Sequence, residues 1–189
     1  MALSNTKGFL PTVKECTDKN KSAFIKGFYD SCIYLHNIVT SYSKSEIQLF
    51  NREIEDETID VLKNIINFGI ESGSPYSNIE IYCCRDIEKR LDLKSLEQNP
   101  MFKNIKIYQH NIKDKFHDRF LNIVVKDENF EDIYLMGNSL SSIKNTPMSI
   151  SQIIGKCIIN LDELTKDNLK KELKEIVDTS KRIYPKEEL

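Results

Sequence analysis

Tryptophan is absent from this sequence, and glycine and proline are scarce at six and five residues in 189. That scarcity excludes collagen-like and Pro/Gly-rich low-complexity chains. No apolar run approaches the ~18 residues that a membrane span requires. The first residues, MALSNTKGFLPTVKECTDK, hold no apolar segment long enough for a signal peptide, so a cytoplasmic location is expected. Neither sign of charge dominates: the formal net charge is −2, which excludes a global basic field but not a local basic groove. There is no C-x-x-C pair, and the three histidines lack zinc-finger spacing, so neither a metal nor a cofactor is expected. The five cysteines (Cys16, Cys32, Cys83, Cys84, Cys157) are odd in number, and two are adjacent in an apolar run. This pattern suits buried free thiols in a reducing compartment.

What is present is ordinary for a globular domain: 40% hydrophobic and 30% charged residues. Residues 1–20 are polar and read as an arm. Between 21 and 42, Phe24, Phe28, Cys32, Leu35 and Val39 recur at spacings of three and four, which predicts a helix. A regular alternation follows. Residues 45–51 and 78–84 read as strands around an amphipathic helix at 54–72, with Ile59, Leu62, Ile66 and Ile70 as its stripe. Residues 85–102 read as helical or irregular, and 104–110 as a strand. Residues 119–125 and 132–137 read as a hairpin across the polar loop 126–131. The apolar run 149–160 reads as a further strand, and 161–182 as a helix with Leu169, Leu173, Ile176 and Val177 inward. Strands that alternate with helices favour parallel neighbours, and the hairpin adds an antiparallel part. The polar connection 138–148 follows a strand end, where α/β sheets place ligand-binding groups.

The chemistry gathers around KFHDRFLNIVV (115–125) and IYLMGNSLSS (133–142). His117 and Arg119 are two apart at a strand entry, so they share a face. Hairpin pairing would return Gly137, Asn138 and Ser139 towards them. An imidazole can attack phosphorus or move a proton. A guanidinium can pair two phosphate oxygens in a fork. An amide and a hydroxyl can donate to developing negative charge. Lys113 and Lys115 flank the cluster, interrupted by Asp114 and Asp118. His110 ends a strand and His36 sits among aromatic and aliphatic residues, and both read as packed histidines.

This arrangement resembles the phospholipase D superfamily, whose members carry H-x-K-x4-D, then a strand and a Gly/Ser/Asn-rich turn. Here FHDRFLNIVV is similar to the H-D-R-F variant of single-motif bacterial members, and GNSLSS to the turn. The resemblance spans roughly residues 45–160. It implies an α/β fold with a phospholipase D-like mixed sheet flanked by helices. The chain then divides into an N-terminal helical segment or arm (1–44), the phospholipase D-like domain (45–182) and a polar tail (183–189). The implied activity is that of a metal-independent phosphodiesterase, a nuclease acting through a phosphohistidine, in a setting such as bacterial defence. One motif per chain implies a homodimer with a His117 from each copy. His117 would be nucleophile and acid, Arg119 and Asn138 would hold the phosphate, and Ser139 would assist. Arg119 stands where the family has lysine, and Val124 where it has the aspartate that supports the histidine pair. The loss at Val124 motivates a second reading: a non-catalytic module that binds a partner protein or a phosphate-bearing ligand. The expected partners are therefore a second copy and nucleic acid, or a partner protein, with no membrane span.

Overall fold

The computed structural model describes residues 22–40, 46–71, 78–85, 87, 93–112, 115, 118–125, 130–155 and 163–185. In chain order they form β1 (Ser22–Ile25), α1 (Phe28–Val39), β2 (Glu46–Phe50), α2 (Asp56–Glu71), β3 (Asn78–Cys83), α3 (Leu93–Glu97) and β4 (Ile105–Gln109). There follow β5 (Arg119–Val125), β6 (Phe130–Met136), β7 (Met148–Ile154), α4 (Glu163–Thr179) and β8 (Lys181–Tyr184). One eight-stranded sheet results, in the order β1-β7-β6-β5-β2-β3-β4-β8.

The central strands β2, β3 and β4 are parallel, as the strand–helix alternation predicts. β5 lies antiparallel to β2 and forms the expected hairpin with β6, with Arg119 opposite Met136. β1 pairs antiparallel with β7, and β8 with β4. Following these directions, β1, β2, β3, β4 and β6 all end at one edge of the sheet, where β5, β7 and β8 begin.

Helices cover both faces. α2 carries Asp56 and Glu57 in its first turn, where the helix dipole favours anions. It buries Ile59, Leu62 and Ile66 beside Val61 and Ile65, while Ile70 at the end of the expected stripe is 57% exposed. α1 packs on α2 through Cys32, Leu35 and Val39, and with inward strand residues such as Ile47, Ile81, Ile107 and Leu121 they form the larger core. α4 covers the opposite face, where Leu173 and Ile176 meet Phe50, Tyr82, Cys84, Ile133 and Ile154. On that face Phe50, Tyr82 and Tyr108 stack across β2, β3 and β4, with ring centroids 5.0 and 4.9 Å apart.

Three elements differ from the sequence reading. The helix expected from residue 21 begins only at Phe28, because Ser22–Ile25 pairs with β7 and Gly27 breaks the chain at φ 99°. That φ favours glycine, which has no Cβ to clash. The final helix stops at Thr179, and residues 181–184 become an edge strand on β4. The connection after β6 is a 3-10 turn at Leu140–Lys144 with Leu140 and Ile143 buried, so it is anchored in the core. The predicted arm at 1–20, the hairpin loop at 126–129 and residues 156–160 of the long apolar run lie outside the described residues.

The buried histidine of α1 gives the fold a pH dependence. His36 is 8% exposed, lies 6.2 Å from the Phe68 ring, and burial holds its pKa below 6.5. The folded chain thus keeps this imidazole neutral while the unfolded chain protonates it. More protons bind to the unfolded state below pH 6.5, so stability falls as pH drops through that range. Urea midpoints between pH 7.5 and 5.5 are expected to decline for the wild type, and less steeply for His36→Gln. Equal slopes would remove His36 as a cause.

Candidate phosphate-binding site at the strand ends

The edge where five strands end collects most of the polar groups that the sequence pattern singles out. Arg119 opens β5 opposite Met136 of β6, and its neighbour Phe120 pairs with Phe50 of β2. Just past Phe50 comes Asn51, and just past Met136 come Gly137, Asn138 and Ser139. Asn51 is 1% exposed and donates from Nδ2 to the carbonyl of Glu53 at 2.6 Å. The same Nδ2 lies 3.4 Å from Ser139 Oγ. Since β2 and β6 flank β5, this long contact closes over the entry to β5. Ser139 Oγ has a shorter partner in Ser141 Oγ at 3.0 Å.

Arg119 sits partly exposed inside this frame, and its buried Nε–H finds no acceptor among the described residues. A buried donor without a partner costs free energy, more so on a charged group. Asn138 donates from Nδ2 to Thr146 Oγ1 at 3.1 Å, and Thr146 in turn donates to the carbonyl of Ser142 at 2.9 Å. One of its two amide hydrogens therefore braces the turn, and the second is a donor that can be offered to a ligand. At Gly137 a Cβ would overlap Ser149 Oγ, so glycine lets β7 approach this turn closely. Two further arginines follow strand ends: Arg52 after β2, and Arg85 after β3, the latter 3.2 Å from Glu53.

His117 lies outside the described residues, as do Lys113 and Asp114. The structure thus brings Arg119, Asn138 and Ser139 to one edge. Asn51, Arg52 and Arg85 were not selected from the sequence. Their signal was their place directly after a strand, the general position of ligand groups in α/β sheets.

His110 is a packed group, as its strand-end position predicts. It is 4% exposed, accepts at Nδ1 from the Ile112 N–H at 3.0 Å, and meets Thr179 Oγ1 at Nε2, also 3.0 Å. Thr179 donates to the Glu175 carbonyl, so the network assigns the proton to Nε2. Both ring nitrogens are occupied, Nδ1 in the turn after β4 and Nε2 in joining that turn to the end of α4. Lys115 is paired with Glu175 at 3.1 Å. Cys32, Cys83 and Cys84 are buried thiols outside any disulfide, and burial pushes the Cys32 thiol up to about 12. Thiols held protonated in this way are poor nucleophiles. Among the described residues no group of three or more His, Cys, Asp or Glu could hold a metal ion. No described helix is long and apolar enough to cross a membrane.

Position 124 corrects the motif reading. Val124 lies opposite Glu46 and Glu131, five residues along β5 from Arg119 and facing the other side of the sheet. Five strand residues span about 17 Å. An aspartate there would not reach the Arg119 end, so its loss does not strip that end of a carboxylate.

Three solved structures are similar to this chain. A polyphosphate kinase from Porphyromonas gingivalis superposes with a TM-score of 0.50 at 12% identity, over 86% of this chain and 24% of the kinase. A phosphatidylserine synthase from Haemophilus influenzae Rd KW20 does so with a TM-score of 0.50 at 12% identity, over 86% of this chain and 39% of the synthase. NucT from Helicobacter pylori gives a TM-score of 0.49 at 11% identity, over 86% of this chain and 97% of NucT. The chain therefore spans less than half of the kinase and of the synthase. No protein-family model and no curated protein matches the sequence.

Proposed function

We propose, taking as premise the phospholipase D-like fold that this chain has, that it is a metal-independent phosphodiesterase acting on nucleic acid. The observation that carries this reading is Arg119. Its buried Nε–H has no acceptor among the described residues, at a strand end framed by Asn51 and Ser139 and shared with two more arginines. A phosphodiester anion supplies the missing acceptor, and a guanidinium can hold two of its oxygens at once.

In the proposed reaction His117 attacks phosphorus. A P–N bond forms and the P–O bond to the leaving alcohol breaks. The alkoxide takes its proton from the partner subunit's His117, acting as general acid. That second imidazole then accepts a proton from water, the water oxygen attacks phosphorus, and the P–N bond breaks. A phosphomonoester leaves and both histidines are restored. With one motif per chain, the active species is a homodimer. Arg119 and Asn138 hold the phosphate through both steps, and Ser139 assists from the turn.

The non-catalytic module was favoured by Val124. Position 124 lies away from the Arg119 end, so it no longer weighs for that reading. The test is hydrolysis of single- and double-stranded DNA and of bis-p-nitrophenyl phosphate by EDTA-treated protein, alongside its mass in solution. Turnover by a two-chain species is expected. Absence of turnover on all three, or a strictly monomeric active species, would contradict the proposal.

A further inference from the structure

The opposite end of the sheet holds a second polar site. Beneath α4, on the face away from α1 and α2, lies a groove of about 670 Å³. That volume is within the range of small-molecule pockets. Its floor is a polar rung across four strands: Asn122 of β5 pairs with Gln48 of β2, Gln48 with Glu80 of β3, and Glu80 with Lys106 of β4. Glu46, Asn78 and Glu131 line the groove beside the rung, and towards the strand ends this face turns apolar and aromatic.

Most of the rung is satisfied from within. Glu80 accepts from the Tyr82 hydroxyl at 2.8 Å and lies 3.5 Å from Lys106 Nζ. Asn122 donates from Nδ2 to Gln48 Oε1 at 3.1 Å. One acceptor is left over. Asn122 is 4% exposed, and its buried Oδ1 receives no hydrogen bond from the described residues. Gln48 Nε2 has no partner among the described residues either. The joined amides thus present one free carbonyl and one free amide nitrogen. The count does not depend on which amide end is called oxygen, because a single bond between two amides always leaves one donor group and one acceptor. A buried acceptor without a donor is costly, and nothing in the strand pairing requires it here.

We propose that this groove binds the base of a nucleoside. A nucleobase edge places a ring or exocyclic N–H beside an acceptor, the complement of a free carbonyl next to a free amide nitrogen, and a carboxamide pairs with a base edge in this bidentate way. The walls suit a flat ring: Val124 and Ile133 from the sheet and Leu173 and Val177 from α4 line the same groove. They are apolar and branched, and they offer packing for a ring beside the polar rung. Asn122 faces the side of the sheet opposite to Arg119, so the groove is separate from the strand-end site and does not rest on its chemistry.

The test is isothermal titration of the full chain with adenosine, cytidine, guanosine and uridine. Nucleosides carry no phosphate, so the Arg119 end is not probed. At least one is expected to saturate at one per chain. Asn122→Leu removes the free carbonyl and should weaken that binding tenfold or more, while melting no lower than the wild type. Val124→Phe fills the groove and should do the same by occlusion, which keeps the test open if the first variant fails to fold. Arg119→Ala should bind the nucleoside as the wild type does. No saturable binding at millimolar nucleoside, binding retained in both groove variants, or binding lost in Arg119→Ala would each overturn the proposal.

Discussion

Replacing His117 by alanine is expected to lower metal-free phosphodiester hydrolysis by at least about a thousandfold, because it removes nucleophile and acid together. In a homodimer every site loses both imidazoles at once. The other two histidines offer no substitute. His110 is hydrogen-bonded at both ring nitrogens, and His36 is buried in α1 with its pKa lowered. The expected fold of the variant is unchanged, checked by an unaltered urea midpoint. Initial rates on bis-p-nitrophenyl phosphate in EDTA read the effect. Retention of more than a tenth of the wild-type rate would contradict the assignment.

Arg119→Ala is expected to cost roughly a hundredfold in kcat/KM, since the arginine binds a group whose negative charge grows at the transition state. The loss should fall on kcat as well as on KM. Arg119→Lys keeps the positive charge but not the planar fork, and should recover only part of the activity. Stability should move the other way. The Nε–H has no acceptor among the described residues, so removing it relieves a cost, and Arg119→Ala should melt no lower than the wild type. A variant that loses activity only in proportion to lost folded protein would mark Arg119 as structural.

The parts of the fold that repeat were legible in the sequence. The β2–α2–β3–β4 alternation and the β5–β6 hairpin follow from periods of two and 3.6, and the register with Arg119 opposite Met136 brings Asn138 and Ser139 back as predicted. The edges were not legible. β1 and β8 are four-residue strands that pair only because a distant strand offers an edge. Local spacing cannot announce such a partner, and in both cases a helical period ran on into the strand. The 3-10 turn after β6 looked polar because only Leu140 and Ile143 of its residues face inward.

The site divides in the same way. Arg119, Asn138 and Ser139 stand at a strand entry and a strand exit, which a motif can mark. Asn51, just past β2, meets Ser139 across 88 residues of sequence, and no local pattern links the two. Val124 was misread for the complementary reason. Seven positions after His117 looks close in a motif, but a strand extends about 3.4 Å per residue, and this one carries position 124 to the far end of the sheet. Neighbours in sequence along a strand are not neighbours in a site.

The central claim is that His117 forms a covalent bond to phosphorus during turnover. The direct measurement is acid-free trapping of the protein with a phosphodiester substrate in EDTA, followed by peptide mass spectrometry under alkaline conditions that preserve phosphohistidine. The account predicts a phosphoryl or nucleotidyl adduct on the peptide carrying His117, stoichiometric with active sites and absent from His117→Ala. Turnover without any adduct on that peptide, or an adduct that persists in His117→Ala, would contradict it.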